Sequence, residues 1–178
     1  FVHLDAQPEY AAAAPIRISV SARYYLGRSL SRAQTRWLLE HEDQPFAPPG
    51  FAAFRFPGAY VDDDGPMEEA AGLRQGEATY RGDHPLLIEA DVPVNPRRPA
   101  PRRAQLYVEM TDLNQQTLLQ SAAFTRHSSD FYLGVERFQQ VLRAGQAQSV
   151  AVIAVRPDGT PYPDAVPVEA SSSFGPST

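Results

Sequence analysis

The feature that most restricts this chain is a stretch of strict two-residue alternation that occurs twice. Residues 16–39 read IRISVSARYYLGRSLSRAQTRWLL. In the first half Ile16, Ile18, Val20, Ala22, Tyr24 and Leu26 fall on one side, and Arg17, Ser19, Ser21, Arg23 and Tyr25 on the other. Successive strand side chains point to opposite faces, so this spacing describes a half-buried strand. In the second half Ala33, Thr35, Trp37 and Leu39 oppose Gln34, Arg36, Leu38 and Glu40. Gly27 lies between the halves and reads as the turn of a hairpin. Displaced by 132 residues, 19–37 overlies 151–169: Val20, Ala22, Gly27 and Ala33 meet Val152, Ala154, Gly159 and Ala165, and Leu30 meets Tyr162. Two superimposable hairpins are expected, turning near Gly27 and Gly159. A period this long indicates tandem copies of one domain rather than a solenoid of short repeats.

One local conflict bears on fold class. Residues 31–42, SRAQTRWLLEHE, hold good helix formers, and Ser31 with Gln34 matches a capping box. The repeat argues against a helix, because Pro167 occupies the place of Thr35. A proline inside a helix costs about 3 kcal/mol, so a strand is expected. Alternating runs punctuated by 17 prolines and 11 glycines, with 43% hydrophobic residues to fill a core, define the class as all-β. The expectation is an antiparallel β-sandwich, immunoglobulin- or fibronectin-like: one complete domain over 1–129 and part of a second over 130–178.

Within the first domain, 1–6 reads as an edge strand and 11–15 as a connector. Residues 43–76 form a Pro/Phe-rich insertion whose Phe46, Phe51, Phe54 and Phe56 are too apolar for a free loop and are expected to pack back on the sandwich. A helical turn is expected over 66–74, a short strand over 77–80 and a longer one over 85–94. Arg97, Arg98, Arg102 and Arg103, within NPRRPAPRR, read as a solvated loop. Leu106, Val108 and Met110 alternate with Tyr107, Glu109 and Thr111, then 112–116 turns the chain and 118–124 returns. About seven strands by residue 128 suffice for one sandwich. The second domain supplies strands over 130–136, 150–155 and 166–170.

Chemistry-bearing patterns are few. A net charge of −5 argues against a nucleic-acid partner. With no cysteine there is neither a disulfide nor a thiolate site. No run reaches 18 apolar residues, and the start at Phe1 reads as that of an excised piece without a signal peptide. His41-Glu42 opens like a zinc-protease motif, but position 45 is proline where the second histidine belongs. His3, His84 and His127 are scattered, and His127 with Asp130 is better read as a structural hydrogen bond than as part of a triad. Asp62, Asp63 and Asp64 are consecutive, whereas a calcium loop alternates its ligands. The reading is therefore a non-enzyme with no catalytic, cofactor-binding or metal residues and no cofactor.

The run ARYYLGRSLSRAQTRW resembles the strand–Gly–strand signature of the macroglobulin-like domains of bacterial alpha-2-macroglobulins. PFAPPGFAAFRFPG (45–58) is similar to a loop that follows that signature in one of them, and DFYLG (130–134) to the start of the next domain. The match is poor over 62–76 and 96–103, and at 11–14, where a glycine turn is common in the family. The resemblance implies a scaffold segment of a broad-spectrum protease-trapping inhibitor of the cell envelope, periplasmic and membrane-anchored through another part of its parent chain. Its partners would be the remaining macroglobulin domains and the proteases trapped by the full-length protein. Many family members couple to the protease through a Cys–Gln thioester, which a cysteine-free segment cannot carry. The alternative is a tandem immunoglobulin-like module of an adhesin or carbohydrate-binding envelope protein, with Tyr24, Tyr25 and Tyr107 as an aromatic platform. Three strands leave the apolar face of the second domain open, so self-association of the isolated chain is expected.

Overall fold

The computed structural model describes residues 1–24, 27–28, 30–56, 71–94, 99–137 and 149–169. Its described elements are all strands: β1 (Val2–Asp5), β2 (Glu9–Tyr10), β3 (Ile16–Ala22), β4 (Arg32–Asp43), β5 (Phe54–Arg55), β6 (Ala71–Arg81), β7 (Leu86–Ala90), β8 (Arg102–Asp112), β9 (Thr117–Arg126), β10 (Tyr132–Glu136) and β11 (Val152–Val155). They form three sheets, ordered β1-β3-β7, β2-β9-β8-β4-β6 and β11-β10-β5. All pairings are antiparallel except β2 with β9.

The first two sheets make a sandwich. One core takes Ile16, Ile18 and Val20 from β3 and Ile88 from β7, and faces them with Leu39 from β4 and Leu106, Val108 and Met110 from β8. The alternation sets this directly: β3 runs buried-exposed-buried along its seven residues, and β8 keeps every even-numbered residue inside. Of residues 31–42, read as strand on account of Pro167, all but Ser31 lie in β4. The hairpin expected over 16–39 closes only at its tip, where Leu30 N–H bonds Ala22 O and Tyr24 N–H bonds Arg28 O; its two long strands part, β3 pairing with β1 and β7 and β4 with β6 and β8. The chain turns at Gly27 (φ 83) and crosses from one layer to the other. Alternation shows which face of a strand is apolar; it does not show whether two such strands sit side by side or face each other across a core.

The third sheet has its own core of Phe46, Phe56, Tyr132 and Val155, with Phe51, Phe54 and Ile153 against it. The phenylalanines of the insertion therefore pack on this sheet, not back on the sandwich. Gln44 N–H bonds Pro101 O at 2.8 Å at the end of β4. From there the chain crosses as a strap, turns at Gly50 (φ 86), and adds β5 to the edge of β10 through Val135↔Arg55 and Glu136↔Phe54.

Other expectations are corrected in the same way. Arg102 and Arg103 open β8 rather than lying in a solvated loop: the Arg102 guanidinium is buried and its Nε is 2.8 Å from Asp43 Oδ1. Arg97, Arg98 and 57–70 lie outside the described residues, with Asp62, Asp63 and Asp64 among them. Residues 71–74 are strand rather than helical turn, since β6 runs through to Arg81. No strand forms over 166–169, where Val168 is 51% exposed. Trp37 is half-buried against the core. The connector at 11–14 closes its own turn (Ala14 N–H to Ala11 O, 3.0 Å), and Arg126 donates to the carbonyls of Ala11, Ala12 and Ala14.

Candidate functional site

Two places concentrate buried polar groups. The first is the junction between the sandwich and the third sheet. His127 follows β9 and is tied there by its backbone N–H to Tyr10 O at 2.9 Å. Its Nδ1 lies 3.1 Å from the Tyr132 hydroxyl, which also accepts the Ser128 N–H at 3.1 Å. With that acceptor role filled, the phenol proton is directed at Nδ1, leaving the proton of neutral imidazole on Nε2, 3.8 Å from Glu9 Oε2. Burial lowers the His127 pKa, and Glu9 opposes this in part. The same burial raises that of Tyr132. The Tyr132 ring stacks on Phe46 at 4.3 Å between centroids. One side chain thus joins the end of β9, the start of β10 and the strap. Asp130 is exposed, and the His127 ring is paired with Tyr132 instead.

The second place is the end of β4. The His41 ring lies over Gly72, where an added Cβ would come 2.2 Å from its Cε1. Arg102 Nη1, which can only donate, points at His41 Nδ1 from 3.3 Å. Burial and the nearby Arg102 charge lower the His41 pKa. Four residues back on β4 and four residues on along antiparallel β6 the pairing recurs: the Trp37 indole covers Gly76, 2.5 Å from an added Cβ. The two glycines on β6 make room for the two large rings on β4, an arrangement that sequence spacing alone does not reveal. On the outer side of this sheet Glu40, Glu42, Leu73, Arg103, Gln105 and Tyr107 line an open groove of about 510 Å³.

Both arrangements are buried links between strands, Tyr132 to His127 at the junction and Arg102 to His41 at the end of β4. Among the described residues no three His, Cys, Asp or Glu side chains are placed to hold a metal ion. His41 and Glu42 alternate inward and outward along β4, as a strand requires. Tyr24 donates to Asp112 Oδ2 at 3.3 Å, while Tyr107 stands five strand residues away on the outer face opposite Leu38 and Ser121. The two are not assembled into a platform, and Tyr25 lies outside the described residues. No described helix is long and apolar enough to cross a membrane.

The strands define an all-β protein with the fold of macroglobulin-like domains. The solved structures it resembles are bacterial alpha-2-macroglobulins. The native E. coli protein superimposes with TM-score 0.60 at 10% identity, over 89% of this chain and 11% of that one. The E. coli protein activated by porcine elastase gives TM-score 0.61 at 11% identity, over 89% and 14%. The Salmonella protein reacted with methylamine gives TM-score 0.57 at 14% identity, over 76% and 8%. The chain spans about a tenth of the length of these structures. No protein-family profile matches it, and no curated protein matches it in sequence.

Proposed function

We propose that this chain is a non-catalytic scaffold segment of a bacterial alpha-2-macroglobulin-like protein, a protease-trapping inhibitor of the cell envelope. The observation that supports this reading is the shared fold over most of the chain, in structures that include forms activated by elastase and by trypsin. The arrangement of the site fits it. Buried hydrogen bonds and ring stacking tie one sheet to the next, as a load-transmitting segment of a larger assembly requires. Its partners in this reading are neighbouring domains of the same kind and, through the whole assembly, the trapped protease. Periplasmic location belongs to the same proposal. The test has two arms. Incubated alone with trypsin or elastase, the chain should leave activity on a large protein substrate intact. A full-length protein carrying these residues should retain the protease. Stoichiometric protection by the chain alone, or a full-length protein that leaves the protease free, overturns the proposal.

A further inference from the structure

Arginine meets an acid in register at several points of the sheets. Arg17 stands opposite Glu89 at 3.3 Å, Arg36 opposite Glu77 at 3.1 Å and Arg102 opposite Asp43 at 2.8 Å. Among the described residues, two positions set arginine directly against arginine. At Arg102↔Arg126 both are supplied: Asp43 takes Arg102, and the carbonyls of Ala11, Ala12 and Ala14 take Arg126. At Arg32↔Arg81, where β4 begins and β6 ends, no described carboxylate lies within ion-pairing distance of either guanidinium. The next outward pair, Gln34↔Thr79, is neutral. Directly opposed strand residues share a face, and like charges there are destabilising. The backbone holds the two together nonetheless. Gly82 N–H bonds Ser31 O at 3.0 Å, and a β-carbon on Gly82 would stand 1.9 Å from Leu30 O. Ser31, Arg32, Arg81, Gly82 and Asp83 line an open groove of about 580 Å³ there, and the four side chains are exposed.

We propose that Arg32 and Arg81, held side by side at the Gly82 turn, form a binding site for a phosphate group. Two adjacent cations call for a doubly charged partner, and the tetrahedral oxygens of phosphate let each planar guanidinium donate two parallel hydrogen bonds. A single carboxylate would leave one cation unbalanced. Asp83, on the same groove, opposes the anion, so affinity rises when its charge is removed. Phosphate titrated into the chain at constant ionic strength, followed through the arginine Nε–H signals in proton–nitrogen spectra, tests this. The Arg32 and Arg81 signals should shift and saturate, and chloride should not reproduce the shifts. Arg32→Gln or Arg81→Gln should each weaken phosphate binding about tenfold, the loss expected of a charge-assisted bond, while Asp83→Asn should tighten it. Without phosphate, either glutamine variant should unfold at the urea concentration of the parent or higher, because the like-charge contact is relieved. Arg17→Gln, in the other layer, should leave binding unchanged. Vesicles of phosphatidylcholine doped with phosphatidic acid separate the sources of the group. Co-sedimentation lost in Arg32→Gln assigns it to a lipid headgroup; saturable binding of inorganic phosphate without co-sedimentation assigns it to a soluble phosphate compound. Four results overturn the proposal: no saturable binding of either probe, shifts matched by chloride, binding kept in both glutamine variants, or glutamine variants less stable than the parent without phosphate.

Discussion

The ring of Phe56 lies against the bare Cα of Gly134: a β-carbon built there would stand 2.6 Å from Phe56 Cζ and 3.2 Å from Ile153 Cγ1. The strap docks because β10 offers no side chain at that point, and Phe56 fills the space beside Phe46 and Tyr132.

Gly134→Ala should therefore loosen the strap by about 1–3 kcal/mol, the usual cost of overpacking. The effect should be local. Amide exchange over 132–136 should rise while 104–110 keeps its protection. Unchanged exchange over 132–136 would show that the ring shifts at no cost.

Trp37 is half-buried, so Trp37→Ala should cost less than a fully buried ring, about 2–3 kcal/mol against the ~3–5 typical of core aromatics. Gly76→Ala should act on the same ring from the opposite side, pushing the indole off β6 and shifting its emission to the red. As the chain has one tryptophan, the signal needs no deconvolution. An emission maximum identical to that of the parent chain would refute the close approach.

Acid should weaken the fold through its buried histidines. The pKa values of His127 and His41 are both lowered in the folded chain, whereas an unfolded histidine titrates near ~6.5. Between those values the unfolded chain binds more protons than the folded one, so stability falls as pH drops from about 7 toward 5. The lowered carboxylates of Asp112 and Asp158 continue the loss at more acid pH. His127→Gln should narrow the gap between urea midpoints measured at about pH 7.5 and about pH 5.5. An undiminished gap would assign the effect elsewhere.

Asp112 organises the turn between β8 and β9, accepting the N–H groups of Asn114 (2.8 Å) and Gln116 (2.9 Å). Gln115 sits in that turn at φ 62, the left-handed region that costs an ordinary residue about 1–2 kcal/mol. Gln115→Gly should stabilise the chain by about 0.5–1 kcal/mol after its own entropic loss. A lowered thermal midpoint would mean that the glutamine side chain contributes something its backbone position conceals.

The parts of the fold that rest on local periodicity were legible in the sequence. Met110, Val108 and Leu106 declared a buried face, and Pro167 rightly argued 31–42 out of a helix. The turn at 112–116 announced itself by composition. What failed was the relation between strands. Ile16 and Trp37 satisfy the same pattern whether neighbours or opposites, and nothing local to Gly27 distinguishes a hairpin from a crossover. Arg102 looked solvated because its neighbours are prolines, and the ion pair with Asp43 that buries it joins residues far apart in the chain. Phe46, Phe51, Phe54 and Phe56 follow no regular spacing, so their apolar character was readable but their destination was not. The junction was half visible: His127 was read as structural, but its partner is Tyr132 rather than Asp130.

The short turn at Asp112 has a consequence for the order in which the chain assembles. Within the five-stranded sheet only β8 and β9 are joined by so short a connection, and hairpins of this kind close in about 1–10 μs. β4 must find β8 across most of the first sandwich, and β3 must cross layers to face them, so both wait on slower chain closure. We expect β8–β9 to be the seed on which β4 and then β6 add, with the β1-β3-β7 layer arriving late. Substitutions at Leu106 or Ala122 should then slow folding, whereas substitutions at Val20 or Ile88 should chiefly hasten unfolding. A chain built this way spends its vulnerable interval with one apolar layer exposed, and its productive yield depends on how quickly the second layer closes over it.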